Sequence, residues 1–196
     1  MQTRITERLD YGIPGEFGTT NPRRVNPTVT SADVVMGGPI GRKSDGTVGP
    51  YGATYSTYLG VGVTTHQHVS YGTSDGALAP TLTVKSGDTI GVVTMGDVYI
   101  TLPLSVAPES PATTFATEAA ARAAMRAVKV PAGTAVYVTS AGAYTLTSTD
   151  NTLVGYVVEN RDCAGDELAD SDITMTMSST DIVGATASLT VMVRIG

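Results

Sequence analysis

The stretch "TIGVVTMGDVYITLP" (Thr89–Pro103) consists of two apolar runs that meet at Gly96-Asp97. Both runs are rich in β-branched and aromatic residues, which pack well on a pleated sheet, so each predicts a strand. Glycine followed by aspartate between two such runs is typical of a two-residue hairpin loop. The sequence therefore predicts an antiparallel hairpin with strands at Thr89–Met95 and Asp97–Pro103.

Similar short runs occur on both sides of this stretch. Turn residues separate several of them, as at Ala141-Gly142 and Asp150-Asn151. Many short strands with turns between them indicate a mainly β protein, folded as a compact antiparallel β-barrel or sandwich. Further strands are predicted at Leu59–Thr65, Thr134–Ser140, Ala143–Thr149, Leu153–Glu159, Ile173–Ser178 and Ser188–Gly196.

One segment has the composition of a helix instead. Thr113–Lys129 is rich in alanine and contains neither glycine nor proline. Glu118 and Arg122 stand at i and i+4 in the favourable order, and Arg126 lies toward the C-terminal end, where it complements the helix dipole. The segment predicts one short inserted α-helix of about three turns, over about residues 114–128 at the edge of the sheet or barrel.

Composition limits the classes of function. The chain has 196 residues, of which 41% are hydrophobic, and this suits one domain with its own core. The net charge of −6 disfavours direct binding to nucleic acid or an anionic membrane. We expect no signal peptide at the start, and no apolar run approaches the roughly 20 residues of a membrane helix. These features indicate a protein that is made and kept in a cytoplasm, or is assembled there.

Candidate catalytic and metal-binding residues are few. His66 and His68 would share one face of a strand, but they are the only histidines and no further ligand has a recognisable spacing. The acidic stretch Glu159–Asp172 matches no calcium-binding loop and predicts a solvated acidic loop. Cys163 lies within it without a neighbouring base, and a single cysteine excludes an internal disulfide. We expect no catalytic residue, no cofactor and no metal, although carboxylates paired in space, as in a small β-barrel hydrolase, stay an alternative.

The first part of the chain has a different character. The stretch "YGIPGEFGTTNPRRVNPTVTSADVV" (Tyr11–Val35) contains prolines and glycines without apolar periodicity. We expect the strands to begin after Ser31, so the sequence predicts an extended N-terminal arm over residues 1–33 and a single β domain over residues 34–196.

Several segments follow one another in a recognisable order along the chain: Pro14-Gly15, Asn21-Pro22, Asn26-Pro27, Ser86–Leu102, Val130–Thr147, Leu153–Asn160 and Ser188–Gly196. This order resembles the structural cement proteins of tailed bacteriophages. The resemblance spans most of residues 12–196 and departs from the family pattern at residues 108–128 and 161–187.

The resemblance implies a non-enzymatic structural protein on the outer capsid surface of the virion. Such proteins bind where major capsid protein subunits meet, and neighbouring copies of the chain, as dimers or trimers, are further expected partners. The arm would lie as an extended strap on a neighbouring subunit. The guanidinium groups of Arg23 and Arg24 suit bidentate contact with carboxylates of the coat shell or of the segment 162–172 of an adjacent copy. The alternative function is a virion tail or surface β-domain that binds a host glycan or receptor. The arm residues implied in partner contact are Pro14, Gly15, Phe17, Pro22, Arg23, Arg24 and Pro27.

Overall fold

The computed structural model describes Gly15 and residues 24–63, 83–163 and 168–196, except for the side chain of Asp162. A short 3₁₀ turn covers Asp170–Asp172. The strands and the α-helix of the described residues are β1 (Arg24–Val29), β2 (Val34–Val35), β3 (Pro39–Arg42), β4 (Val48–Pro50), β5 (Thr57–Val63), β6 (Thr83–Val84), β7 (Thr89–Val106), α1 (Glu118–Arg126), β8 (Lys129–Val130), β9 (Ala135–Val138), β10 (Tyr144–Thr145), β11 (Thr152–Val157), β12 (Arg161–Asp162), β13 (Thr174–Ser178) and β14 (Asp181–Ile195).

Ten strands form one antiparallel sheet in the order β10-β9-β11-β14-β7-β5-β3-β4, with β1 also paired to β7 and β13 to β14. Two short pairs, β12-β8 and β2-β6, lie outside it. The mainly β, antiparallel prediction is confirmed, and the arrangement is consistent with a sandwich. Among the described residues, no strand ladder joins the terminal strands β10 and β4 into a closed barrel. Instead, the Tyr144 hydroxyl donates a 2.8 Å hydrogen bond to the Gly37 carbonyl, next to β3.

Strand β7 corrects the prediction of a hairpin at Gly96-Asp97. It runs without interruption through all 18 residues of Thr89–Val106. Its first half pairs with β1 and β5, and its second half pairs with β14 from Gly96 to Val106. The hairpin prediction was wrong because glycine inside a strand also marks a bend or bulge, where the strand changes neighbours. Gly96 has φ +127°, and the β1 register shifts beside Met95.

The main core lies on one face of the two longest strands. Ile100 and Leu102 of β7, together with Val191 of β14, have no or almost no exposed surface. They pack in one cluster with residues of β9 and β11 such as Val136 and Val154. Between the buried residues of the second half of β7, Thr101, Pro103 and Ser105 are exposed, which is the alternation expected of a half-buried antiparallel strand.

The predicted helix is confirmed as a shorter element within residues 114–128. α1 has nine residues, and the Thr117 side chain caps it by accepting a 3.2 Å hydrogen bond from the Ala120 amide. Its buried residues Ala121 and Met125 join the main core, and the helix packs against β14 and β7. The prediction of a position at the edge was wrong, because the apolar face of the helix covers the two longest strands.

The other predicted strands correspond to observed ones. β5, β9, β10, β11, β13 and β14 overlap the six further segments that the sequence predicted, while Thr64 and Thr65 lie outside the described residues. The predicted turns are confirmed too, since Gly142 and Asp150 have φ angles of +82° and +56°. Both angles belong to the left-handed region that tight turns require.

We expect Tyr144→Phe to destabilise the fold by about 1–3 kcal/mol, because the buried Gly37 carbonyl would lose its hydroxyl donor. Burial of Tyr144 also raises the pKa of its hydroxyl well above the ordinary value, so this hydrogen bond persists through neutral pH. Urea unfolding measures the change. The matched control is Tyr137→Phe on the exposed side of β9, for which we expect a change below about 0.5 kcal/mol. Equal changes for the two variants would contradict the role of the Tyr144 hydroxyl.

Candidate partner-binding surface

Three of the seven predicted contact residues are described: Gly15, Arg24 and Pro27. The other four, Pro14, Phe17, Pro22 and Arg23, lie outside the described residues. The three described residues do not form one continuous arm away from the body. Gly15 is buried, whereas Arg24 and Pro27 are exposed on a strand of the sheet.

Gly15 is held in a socket of the protein's own body. Its amide donates a 2.8 Å hydrogen bond to the carbonyl of Tyr99 on β7. Its φ of +83° is unfavourable for other residues, and an added Cβ would lie 2.8 Å from the Gly37 nitrogen and 3.0 Å from the Met36 Cβ. Glycine therefore lets the N-terminal segment approach the body closely at this point, an intrachain contact that sequence reasoning missed.

Strand β1 corrects the expectation that strands begin only after Ser31. Arg24–Val29 pairs antiparallel with β7, with Val25 opposite Val93, and Val25 packs against the main core. The sequence did not predict this strand because it contains Pro27, and proline has no amide hydrogen to donate to a strand ladder. Proline is tolerated on an edge strand, and among the described strands β7 is the one that pairs with β1. The division into an arm over residues 1–33 and a β domain over residues 34–196 stays a prediction.

The outward side of β1 is accessible. Arg24, Pro27 and Val29 are exposed, and Val29 retains 60% of its surface. No described residue forms an ion pair with Arg24. The strand therefore carries an exposed cation at its start and an exposed apolar side chain at its end.

The acidic loop contacts the helix. Asp170 forms an ion pair with Arg126, and the Arg122 guanidinium lies 3.9 Å from the same carboxylate. Asp172 accepts a 2.9 Å hydrogen bond from the Ala169 amide. Both carboxylates thus have partners within the chain, so an arginine of an adjacent copy would have to compete for them. The remaining loop residues, 164–167, lie outside the described residues.

The residues considered for chemistry do not form a described site. His66 and His68 lie outside the described residues, and Cys163 is fully buried in the main core, where its amide donates to the Val128 carbonyl. In the described ranges there is no group of three His, Cys, Asp or Glu residues that could hold a metal ion. The helix that is described is also not long and apolar enough to cross a membrane.

An open groove of about 740 Å³ lies where β10 approaches β7, β13 and β14. Serine, threonine and tyrosine residues line it together with apolar residues such as Pro103 and Leu104, and Asp172 is the carboxylate among its described residues. Glycoside hydrolysis usually needs two carboxyl groups on either side of the bond that is cleaved. The described lining of this groove therefore does not supply that pair.

The described residues form a β-body in which Gly15 is hydrogen-bonded to β7 and strand β1 carries exposed side chains. A family model described as "Structural cement protein (E217 gp24/Pam3 gp6)" matches residues 1–194. The chain therefore belongs to the phage structural cement protein family, and it is a structural protein associated with the virion capsid.

Among solved structures, a chain from "The capsid of Myoviridae Phage XM1" is similar. The two chains are 14% identical with a TM-score of 0.49, and the match covers 100% of this chain and 97% of that chain. No curated protein matches the sequence.

Proposed function

We propose that this protein binds the outer surface of a phage capsid and stabilises contacts between major capsid protein subunits, without catalysing a reaction. The observation that carries the proposal is the family match, which extends over the N-terminal segment and the whole β-body. Proteins that reinforce a shell act by adding contacts across subunit boundaries. Such a role requires a rigid body with accessible surfaces and needs no reactive group.

The long central strands supply rigidity for this role. β7 and β14 pair over eleven consecutive positions, from Gly96–Ile195 to Val106–Ala185. Strands of 18 and 15 residues span the body, and the main core and α1 cover one of their faces. A load applied at one end of the body would pass along these continuous hydrogen-bonded strands to the other end.

The N-terminal contact residues stay part of the proposal. Gly15 and β1 contact the body at positions on either side of residues 16–23, and Phe17, Pro22 and Arg23 lie between them in the sequence. Arginine can bind a carboxylate through two parallel hydrogen bonds. Because Asp170 and Asp172 already have intrachain partners, we favour carboxylates of the coat shell as acceptors for Arg23 and Arg24.

The test is binding of the purified protein to capsids that lack it. Capsids would be mixed with increasing protein, sedimented, and analysed for bound protein per coat subunit. We expect saturable binding at a fixed stoichiometry. Absence of binding to capsids, together with binding to host cells, would contradict the proposal and support the receptor-binding alternative.

Replacing both arginines should weaken this binding. We expect the double change Arg23→Ala and Arg24→Ala to cost about 2–5 kcal/mol of binding free energy if the ion pairs are desolvated. Occupancy would be measured at low and moderate salt, with the folding of the free protein unchanged. The matched control is Arg42→Ala, an exposed arginine on β3. Wild-type occupancy of the double variant at both salt concentrations would exclude these two residues from the interface.

A further inference from the structure

A group of apolar side chains lies on the solvent face of β9 and β11, opposite the core. Leu153 pairs with Tyr137, and Tyr156 pairs with Ala135. The register shifts between Leu153 and Gly155, and this irregularity lets two residues three positions apart both point to solvent. Leu153 and Tyr156 retain 44% and 47% of their surface. The distortion of β11 thus exposes two large side chains where a regular strand would expose one.

The same face continues across β14 and β7 to β1. Tyr156 pairs with Arg194, and Arg194 pairs with Asp97. Met95 lies two positions before Asp97, is 44% exposed, and pairs with Arg24. Directly paired residues share a face of the sheet, so these side chains form a continuous surface. The outer patch comprises Arg24, Met95, Tyr137, Leu153, Tyr156 and Arg194.

An ion pair at the centre of the outer patch holds its geometry. The Arg194 Nε and Nη2 atoms donate to the two carboxylate oxygens of Asp97 at 2.7 and 2.9 Å. Asp97 is almost fully buried, whereas the Arg194 side chain is 55% exposed. The two hydrogen bonds fix the orientation of the guanidinium, and Arg194 is the residue that pairs with Tyr156. Because the Asp97 carboxylate balances the charge of Arg194, Arg24 is the cation of the outer patch without an ion-pair partner among the described residues.

The composition of the outer patch is that of an interface centre. Tyrosine, methionine and arginine are enriched at protein interfaces, while lysine and glutamate are depleted. The outer patch contains two tyrosines, one methionine and two arginines, and neither lysine nor glutamate. The ordered guanidinium and the aromatic rings lose little conformational freedom on binding, which favours affinity.

We infer that the outer patch binds a coat subunit, and that the coat surface offers an apolar recess bordered by carboxylates. Leu153 and Tyr156 enter the recess, and Arg24 pairs with a carboxylate at its border. A second copy of the chain fits less well, because pairing of the patch with itself would bring two Arg24 side chains together without an acidic acceptor from the patch. The inference rests on the proposed function. It adds residues of the β-body to the contact already proposed for Arg24 on β1.

The test compares the double variant Leu153→Ala and Tyr156→Ala with a matched control. The control is the double variant Val35→Ala and Met177→Ala, which removes two exposed apolar side chains outside the outer patch, 44% and 52% exposed. Sedimentation with capsids that lack the protein measures the affinity of each. We expect at least about tenfold weaker binding for the patch variant and less than about twofold for the control. A thermal scan of each free protein checks that it is folded.

A single variant tests the same patch in case the double variant Leu153→Ala and Tyr156→Ala does not fold. Leu153→Asp places a carboxylate opposite the acidic border of the recess, so we expect it to weaken binding while the thermal transition of the free protein is kept. If wild-type protein fails to bind capsids, the proposed function is wrong. If wild-type protein binds capsids and both patch variants bind as tightly as wild type, the outer-patch inference alone is wrong. It is also overturned if the patch variants abolish self-association in analytical ultracentrifugation and bind capsids as wild type.

Discussion

Leu102→Ala is expected to lower the free energy of unfolding by about 2–5 kcal/mol. Leu102 is fully buried on β7, where it faces the main core and pairs with Leu189 of β14. Truncation removes apolar contacts and leaves a cavity that two long, hydrogen-bonded strands cannot collapse to fill. For a chain of this length the melting temperature should fall by roughly 4–20 °C, as measured by differential scanning calorimetry.

The control for Leu102 is its neighbour in sequence. Thr101 is exposed on the opposite face of β7 and pairs with Thr190. Thr101→Ala should change the free energy of unfolding by less than about 0.5 kcal/mol, because it removes no buried group. Similar losses for the two variants would contradict the assignment of faces in the second half of β7, and with it the position of the core.

Gly15→Ala is expected to release the N-terminal segment from the body. A side chain in the left-handed conformation observed at Gly15 costs about 1–3 kcal/mol. The new Cβ would also lie too close to the Gly37 nitrogen and the Met36 Cβ, so the socket would have to open. We expect loss of amide-exchange protection at position 15 and faster trypsin cleavage among residues 16–24. Capsid occupancy should fall as well if the Gly15 contact positions the neighbouring partner-contact residues, because losing it adds an ordering cost to binding.

The control for Gly15→Ala separates the cost of the left-handed backbone conformation from the cost of the steric contact of the new Cβ. Gly46 also has a left-handed φ, +89°, but an added Cβ would meet nothing within 4 Å. Gly46→Ala should therefore show the conformational cost alone, with unchanged cleavage among residues 16–24. If Gly15→Ala and Gly46→Ala have the same cleavage rate and the same exchange at position 15, the socket does not hold the segment.

Strand content and the helix could be predicted because their signals are local. Short apolar runs separated by turn residues predicted the strands that became β9, β11 and β14, and alanine content with the Glu118–Arg122 spacing predicted α1. The Gly96-Asp97 hairpin failed because a bulge and a hairpin have the same local sequence. The deciding contact is the ion pair between Asp97 and Arg194, which joins residues far apart in the chain.

In the N-terminal region and the outer patch, too, the local sequence indicated some features, while others depend on contacts that only the fold creates. Proline and glycine around Pro14-Gly15 drew attention to the right segment, but the socket depends on Tyr99, Met36 and Gly37, which only the fold brings together. Exposure of Tyr156 beside Leu153 depends on a register shift in β11 that alternation alone does not predict. The contact of Asp170 with Arg126 likewise required the folded positions of the acidic loop and the helix.

The central claim is that this chain reinforces a phage capsid by binding across coat subunits. Its most direct measurement is the heat survival of capsids that lack the protein, with and without wild-type protein added back to saturation. We expect added protein to raise the temperature at which the capsids disassemble and to improve their survival at low salt. Saturated binding that leaves both the disassembly temperature and the low-salt survival unchanged would contradict it.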